Sequence, residues 1–509
     1  MVATSFETGS TWNTLGINQI RIAATAPTSK ERRNAWSVAL YYWNQGSDVE
    51  PNHLPCLLNR LHSLWVLGVS FTVMEEAVKL LNQLELDPEK WRDIPPPNTE
   101  GYELAWRIDS PYFQLEDDFG LALPSVDQYL YYLARWIAER IALYYQPQAM
   151  PFWRIAAAIY PKDLQAQAVV GLGLSRSLQV EGIHYLRQNQ AQATTKAIRK
   201  WTEACFQVSV SFFRGKTDNP KLSSQKNSIE VIDVPYENHI MSLEGSLDSV
   251  VTHCHLAQGR WFEAEIDFVK SYLKPGMTFI DVGANVGSYT LVAAQAVGSE
   301  GKVVAFEPTQ ACVEILKHNA NMNQLPQVTV IPCALDSESG KAYFLESDDS
   351  ACNRVVKSLV GITHPVKTVQ KVTLDEWWRS LECPSVDMIK VDVFTDSFDV
   401  IRGGRELIKS CSPIIQVEAK GDLGSASREV SSYLSELGYT FFAYNPALNE
   451  LSMARKQARN LSTVNLVAVP EARYVNLKRE GILEEGSFPS KELDPSLSSL
   501  LWDLVEEKQ

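Results

Sequence analysis

Two acids separated by a broken strand carry the chemistry that can be read from this chain. Phe279–Val282 reads as a buried strand with Asp281 near its end; the chain then breaks at Gly283 and restarts as a helix near Gly287. Strand, glycine turn and helix in that order form the α/β unit in which ligands sit at the carboxyl ends of the strands. Glycine allows that approach because no Cβ stands in the way. A dinucleotide site would require G-x-G-x-x-G. The order here is Gly283-Ala-Asn-Val-Gly287, so Asn285 stands where the middle glycine belongs. The carboxylate of Asp281 would also repel a phosphate. A cationic ligand without phosphate suits this acid, and S-adenosylmethionine, with its α-amino group, sulfonium and adenosine, is one. Lys302–Phe306 is a second buried strand and ends in Glu307. An acid about 20 residues past the glycine turn, at the end of the next strand, is placed to accept both ribose hydroxyls.

Further along, a collinear series of segments resembles the FkbM-type family of S-adenosylmethionine-dependent methyltransferases. The matching pieces are Lys274-Pro-Gly276, Asp281–Gly287, Phe306-Glu-Pro308, Ala334-Leu-Asp336, Val372–Glu376, Asp387–Asp392 and Pro413–Glu418. The resemblance covers roughly residues 255–445. It implies a class I methyltransferase fold, an α/β doubly wound (Rossmann-like) sheet, with S-adenosyl-L-methionine as cofactor. One segment departs from the family. Where the family continues its fourth strand as Asp-Val-Glu-Gly-x-Glu, this chain reads Asp392-Val-Phe394-Thr395-Asp396-Ser397, replacing both glutamates and the glycine. The cofactor half of the resemblance is untouched by this change, and the catalytic half is opened by it.

Roles follow for the residues at the strand ends. Asp281, Gly283, Asn285, Gly287 and Glu307 are expected to bind the cofactor, with Asn285 fixing the turn and meeting the methionine end. The competing role for Asp281 is to cap the following helix. Asp336, after the third strand, is expected near the adenine or else as a plain turn aspartate. Asp392 ends the apolar run Met388–Asp392, and a carboxylate there is costly to bury without a task or partner. It is the expected catalytic residue, as base, metal ligand or substrate anchor. The alternative is an ion pair with Lys390, which lies two positions earlier on the same strand face. Glu418 repeats the pattern more weakly. Asp375 reads as an acid in the first turn of a helix. No metal site is expected, because His253-Cys254-His255 are adjacent and cannot easily converge on one ion.

The 509 residues suggest two or three domains, and 45% hydrophobic content is ample for their cores. A net charge of −14 argues against a broad nucleic-acid surface. The eight cysteines form no C-x-x-C pair and read as free thiols in a reducing compartment. The start of the sequence has no basic, apolar leader. Its longest apolar stretch, Leu61–Met74, is too short for a membrane span. A cytoplasmic location is expected.

Residues 1–213 read as a mostly α-helical domain, with helical periods at Ala35–Trp43, His53–Val73, Met74–Leu86, Val126–Tyr145 and Leu164–Leu186. Ala149, Trp153, Ala156 and Gly171, counted from Pro161, fall at the small and aromatic positions of a tetratricopeptide repeat. An irregular helical domain is the alternative. Residues 214–228 read as a linker and 229–470 as the methyltransferase domain, with short strands between Ile229 and Val251 and a helix at Phe262–Glu265. Residues 471–509 read as a tail with a short helix at Ser499–Glu507.

The favoured function is methyl transfer to an oxygen of a sugar, glycan or secondary-metabolite hydroxyl. The expected partner is a small-molecule or glycan acceptor, with a protein partner available to the helical domain. Two rivals stay open: a non-catalytic or weakly catalytic adaptor, and an N-methyltransferase.

Overall fold

A computed structural model describes residues 8–483 apart from 69–70, 92–93, 98, 101, 106–124, 143–145, 194, 218–230, 348, 357–365, 394–396, 419–423 and 454–464. Helices dominate its first part: α1 (Gly9–Thr25), α2 (Ser29–Val49), α3 (Leu54–Val66), α4 (Phe71–Leu86), α5 (Ser125–Ala142), α6 (Gln146–Ile159), α7 (Leu164–Arg176), α8 (Glu181–Gln192) and α9 (Lys196–Thr217). Local chemistry sets several boundaries. Thr28 and Glu31 close a capping box at the start of α2, which satisfies two otherwise unpaired amides. The expected single helix at Leu164–Leu186 is broken, because Leu178 takes a left-handed conformation, φ 56°.

Adjacent helices pair as α1–α2, α5–α6 and α7–α8, but their lengths of 17 and 21, 18 and 14, and 13 and 12 residues do not repeat. Ala149, Trp153 and Ala156 are buried. Gly171 packs so tightly that a Cβ there would come within 2.6 Å of Leu186 Cγ. Gly171→Ala should therefore cost about 1–3 kcal/mol by overpacking, read as a lowered denaturation midpoint of the full chain. The last helix, α9, continues to Thr217 and so occupies the first residues of the expected linker. The remainder of that linker, and the helix expected at Ser499–Glu507, lie outside the described residues.

A hairpin, β1 (Val231–Tyr236) and β2 (His239–Glu244), follows, then α10 (Val250–Gln258) and α11 (Glu265–Tyr272). The expected helix at Phe262–Glu265 starts only at Glu265, so Phe262 and Glu263 belong to the lead-in turn. The sheet then builds from β3 (Thr278–Val282), α12 (Ser288–Val297), β4 (Lys302–Phe306), α13 (Gln310–Met322) and β5 (Val328–Ile331). A smaller sheet is formed by β6 (Ala334–Leu335), β7 (Gly340–Leu345), β8 (Arg354–Val356) and β9 (Val366–Val372). The main sheet resumes with α14 (Leu374–Ser380), β10 (Met388–Val391), α15 (Ser397–Arg402), α16 (Arg405–Cys411), β11 (Ile414–Glu418) and α17 (Gly424–Glu436). It closes with β12 (Tyr439–Asn445), β13 (Glu450–Met453), β14 (Asn465–Pro470) and α18 (Glu471–Arg479).

The main sheet runs β13-β12-β14-β11-β10-β3-β4-β5. Strands β5, β4, β3, β10 and β11 are parallel, and β14 inserts antiparallel between β11 and β12. The order reverses between β3 and β10, and a crevice opens at such a switch point. The central strands are apolar on both faces, as a sheet covered on both sides requires. Ile280, Val282, Ile389, Val391, Ile415 and Val417 fill one face, while Phe279, Met388 and Ile414 join the other.

That second face shares its core with the helical region, since a single apolar cluster runs from Leu54 through Trp201 and Leu256 to Leu483. Polar ties reinforce the union. Arg33 pairs with Glu450 of β13 at 2.5 Å, and Asn445 Nδ2 donates to the Val66 carbonyl at 2.7 Å. The helices thus pack as walls of the sheet. Among the described residues, no helix is long and apolar enough to cross a membrane.

Candidate functional site

A cavity of about 290 Å³ opens at the switch point, lined by the ends of β3, β4, β10 and β11. The turn after β3 forms its floor. Gly283 and Ala284 both donate their amides to the Phe306 carbonyl, at 3.0 and 3.1 Å, which bends the chain out of the sheet. Gly283 has φ +78°, and a Cβ there would overlap the Asp392 carbonyl oxygen. Asn285 has φ +50°, a conformation asparagine tolerates better than most residues. Its Oδ1 accepts from the Val286 amide at 2.9 Å and its Nδ2 donates to Ser350 Oγ at 3.2 Å. Gly287, φ +102°, abuts Leu316 of α13 and leads into α12. Its task is helix–helix packing; Gly287 is not in the cavity lining, which departs from its expected cofactor contact.

Glu307 is the anchor of this floor. Its Oε2 accepts from the Asn285 amide at 2.9 Å and its Oε1 from the Thr309 amide at 2.8 Å. Burial pushes its carboxyl up, opposed by those hydrogen bonds. Each carboxylate oxygen retains a lone pair for a ligand hydroxyl. Asp281 is 1% exposed. Its Oδ2 accepts from Thr290 Oγ1 at 2.6 Å, while Oδ1 is buried without a hydrogen-bond partner. An orphaned buried carboxylate oxygen is expensive unless a donor reaches it. The helix-capping alternative holds in part, because Asp281 bonds both the side chain and the backbone amide of Thr290 in the first turn of α12.

Asp336 takes the second of its two expected roles, that of a turn aspartate. Its Oδ2 accepts from Lys371 Nζ at 2.8 Å and its Oδ1 from the Ser337 amide at 2.6 Å. The neighbours Cys333, Ala334 and Leu335 line the cavity, but Asp336 does not. The turn role wins because Lys371 on β9 supplies the partner that this acid needs. Asp375 lies in the first turn of α14, as expected, and it also accepts from the Glu406 and Leu407 amides at 3.0 and 2.9 Å, so it caps α16 as well.

A polar row crosses the otherwise apolar sheet. Asp281, Lys390 and Gln416 are side by side in register on β3, β10 and β11. In-register parallel neighbours share a face, and Asp392 and Glu418 extend that face toward the strand ends. Lys390 is buried, pairs with Asp392 Oδ2 at 2.7 Å, and lies 4.3 Å over the Tyr289 ring. Burial works to lower its ammonium, but Asp392, Glu263 and Asp281 together lift it above the usual lysine value. The Lys390–Asp392 ion pair, one of the two alternatives for Asp392, is therefore present. Removing Lys390 leaves several carboxylates uncompensated, so Lys390→Met should cost about 3–5 kcal/mol, checked by urea unfolding at pH 7.

Behind this row, Tyr289 donates to Glu263 Oε2 at 2.6 Å and accepts from Gln416 Nε2 at 2.8 Å. Asn465 Nδ2 also donates to Glu263 Oε2, at 2.7 Å. Glu418 lines the cavity beside Asp392. Burial, then the charges of Asp392 and Glu263, push its carboxyl up to about 8, against the opposing pull of Lys390. Val250, Val251, Trp261 and Phe262 roof the cavity. Asp349 pins the roof by accepting from the Val250 amide at 3.2 Å. His255, stacked on Trp261, bonds Ser288 Oγ through Nε2 at 2.8 Å, and burial holds it neutral, down to about 3. Among the described residues, no group of three or more His, Cys, Asp and Glu is arranged to hold a metal ion. Phe394, Thr395 and Asp396 lie outside the described residues.

Sequence reasoning singled out Asp281, Gly283, Asn285, Glu307 and Asp392, and all five line this cavity. It missed Glu263, Tyr289 and the roof, which come from segments remote in sequence. Gln416 was findable: it shares a strand face with Glu418, and two polar residues on one face of a buried strand are a signal.

Sheet order, antiparallel β14, glycine turn and acidic strand ends together define a class I methyltransferase fold. The family described as Methyltransferase FkbM domain matches residues 281–441. The hexuronic acid methyltransferase AglP of Haloferax volcanii is 30% identical over 159 residues, covering 31% of this chain and 60% of that protein. A probable cobalt-precorrin-6B C(15)-methyltransferase (decarboxylating) of Sulfurisphaera tokodaii is 41% identical over 71 residues, 13% of this chain and 37% of that protein. The chain thus spans 60% or less of these curated relatives. Among solved structures, methyltransferase FkbM from Methylobacillus flagellatus KT aligns with a TM-score of 0.26 and 11% identity, over 59% of this chain and 61% of that chain.

Proposed function

We propose that the protein is an S-adenosylmethionine-dependent methyltransferase acting on a hydroxyl oxygen of a sugar or related small molecule. One observation carries the reading: Asp281 Oδ1, a buried acceptor without a partner, borders the same cavity as Glu307. The residues fit the cofactor. Asp281 would accept from its α-amino group, Glu307 from its ribose hydroxyls, and the Gly283–Asn285 backbone leaves room for close approach. Cys333, Ala334, Leu335 and Phe344 offer an apolar wall for the adenine.

S-adenosylmethionine, when bound, supplies a methyl group already activated on a sulfonium, so the protein contributes position, dryness and a proton acceptor. Asp392 and Glu418 stand together at the strand ends. Asp392 is held by Lys390, which fixes its carboxylate as an anchor for the acceptor. Glu418 is the better base, since a proton acceptor works best with a value near the working pH. The sugar acceptor is favoured by the hexuronic acid methyltransferase relative. The experiment is transfer of a radiolabelled methyl group from S-adenosylmethionine to a panel of glycosides. Label in a methyl ether is the expected result; label in an N-methyl product would move the reading to nitrogen. Label in no product, with the cofactor bound, would favour an adaptor.

A further inference from the structure

The charge balance of the cavity narrows the acceptor. Glu263, Asp281, Glu307, Asp392 and Glu418 contribute five carboxylates to its lining, against the cations Lys390 and Arg354. Glu307 and Asp281 are accounted for by the proposed cofactor contacts, and Glu263 is held by Tyr289 and Asn465. Lys390 is committed to Asp392, and Arg354 donates to the Cys352 carbonyl at 3.2 Å. That leaves Glu418 beside Asp392 with no hydrogen-bond or ion-pair partner among the described residues. The orphaned Asp281 Oδ1 on the same polar row calls for a donor from within the cavity, which the cofactor's α-amino group would supply, so Glu418 and Asp392 are the acids that face the acceptor. Even a cofactor of net charge +1 leaves the lining negative.

We propose that this site takes an acceptor bearing a protonated amine next to its reacting hydroxyl, an amino sugar being the simplest, and rejects a carboxylate-bearing acceptor such as a uronic acid. The inference rests on the methyltransferase reading above and deepens it. An anionic acceptor would bring its charge against Asp392 and oppose the ionisation of Glu418 in a partly buried site, where repulsion is weakly screened. An ammonium group would instead pair with Asp392 and draw Glu418 toward its ionised form. In the reaction the hydroxyl oxygen forms a bond to the methyl carbon as the carbon–sulfur bond breaks. The electron pair goes to sulfur, leaving a neutral thioether, and the hydroxyl proton goes to Glu418. The amine keeps its proton throughout. The sequence relative that acts on a hexuronic acid therefore differs from this chain in acceptor charge.

The test uses the full chain saturated with S-adenosylhomocysteine and three matched probes: methyl β-glucosaminide, methyl β-glucoside and methyl β-glucuronide. Calorimetric titration at pH 7 should give the glucosaminide a dissociation constant at least about tenfold lower than the glucuronide, with the glucoside between. Asp392→Asn and Glu418→Gln should each shrink that ratio, and added salt should shrink it in the wild type. A glucuronide that binds as well as the glucosaminide overturns the proposal while leaving the methyltransferase reading intact. So does failure of all three probes to bind when S-adenosylhomocysteine does. Failure of S-adenosylhomocysteine itself to bind overturns both.

Discussion

Glu307→Ala should weaken S-adenosylmethionine binding by at least about a hundredfold while leaving the sheet folded. The size follows from what one carboxylate does. It accepts the Asn285 and Thr309 amides at 2.9 and 2.8 Å and so holds the glycine turn in shape, and it faces the ribose in the proposed complex. Hydrogen bonds to a charged group are worth roughly 1.5–3 kcal/mol each, and a factor of one hundred is about 2.7 kcal/mol. Glu307→Gln should fall nearly as far, because a carboxamide presents one oxygen where two amides need acceptors. Circular dichroism shows whether β4 and its neighbours persist, and calorimetry supplies the affinity. An unchanged affinity would remove Glu307 from the cofactor site.

The second large effect concerns Glu418. Its carboxyl is pushed from the ordinary 4.5 up to about 8 by burial and by Asp392 and Glu263, with Lys390 opposing. Only the ionised form can take a proton, so turnover should rise with pH through a limb near 8. Glu418→Gln should lose that limb and about 10²–10⁴-fold in rate. Stability gives a second reading that needs no acceptor. A carboxyl whose value is raised in the folded state contributes its full stability below 4.5 and loses it as pH rises through 8, because the folded chain holds a proton that the unfolded chain releases. Thermal stability should therefore decline between pH 5 and 8, and Glu418→Gln should recover roughly 2–4 °C at pH 8. A variant whose melting profile over that range matches the wild type would show that Glu418 is not raised.

The residues of the proposed cofactor site could be read from local sequence because their arrangement is local. Asp281, Gly283 and Asn285 lie within one strand–turn unit, and Glu307 ends the next strand. Backbone geometry alone brings them together. Asp336 was left open between two roles, and its partner is tertiary: Lys371, far along the chain on β9, pairs with it. Gly287 was legible as a glycine but not in its task, since Leu316 on α13 is what excludes a Cβ there. The surroundings of Lys390 were nearly invisible. Glu263 precedes a helix, Tyr289 sits inside one and Asn465 opens β14, so only the folded sheet assembles them around Lys390. The helical region was legible as helical, yet nothing in its periodicity announces that Trp201 Nε1 bonds the Leu256 carbonyl at 2.9 Å. Nor does it announce that the region shares one core with the sheet. The altered Phe394–Asp396 segment lies outside the described residues.

Titration of the full chain with S-adenosylmethionine by calorimetry tests the central claim most directly. One molecule per chain should bind, and Asp281→Asn should weaken the binding at least about tenfold by removing the charge that faces the α-amino group. Absence of binding at millimolar cofactor would contradict the assignment of this cavity, and with it the methyltransferase reading.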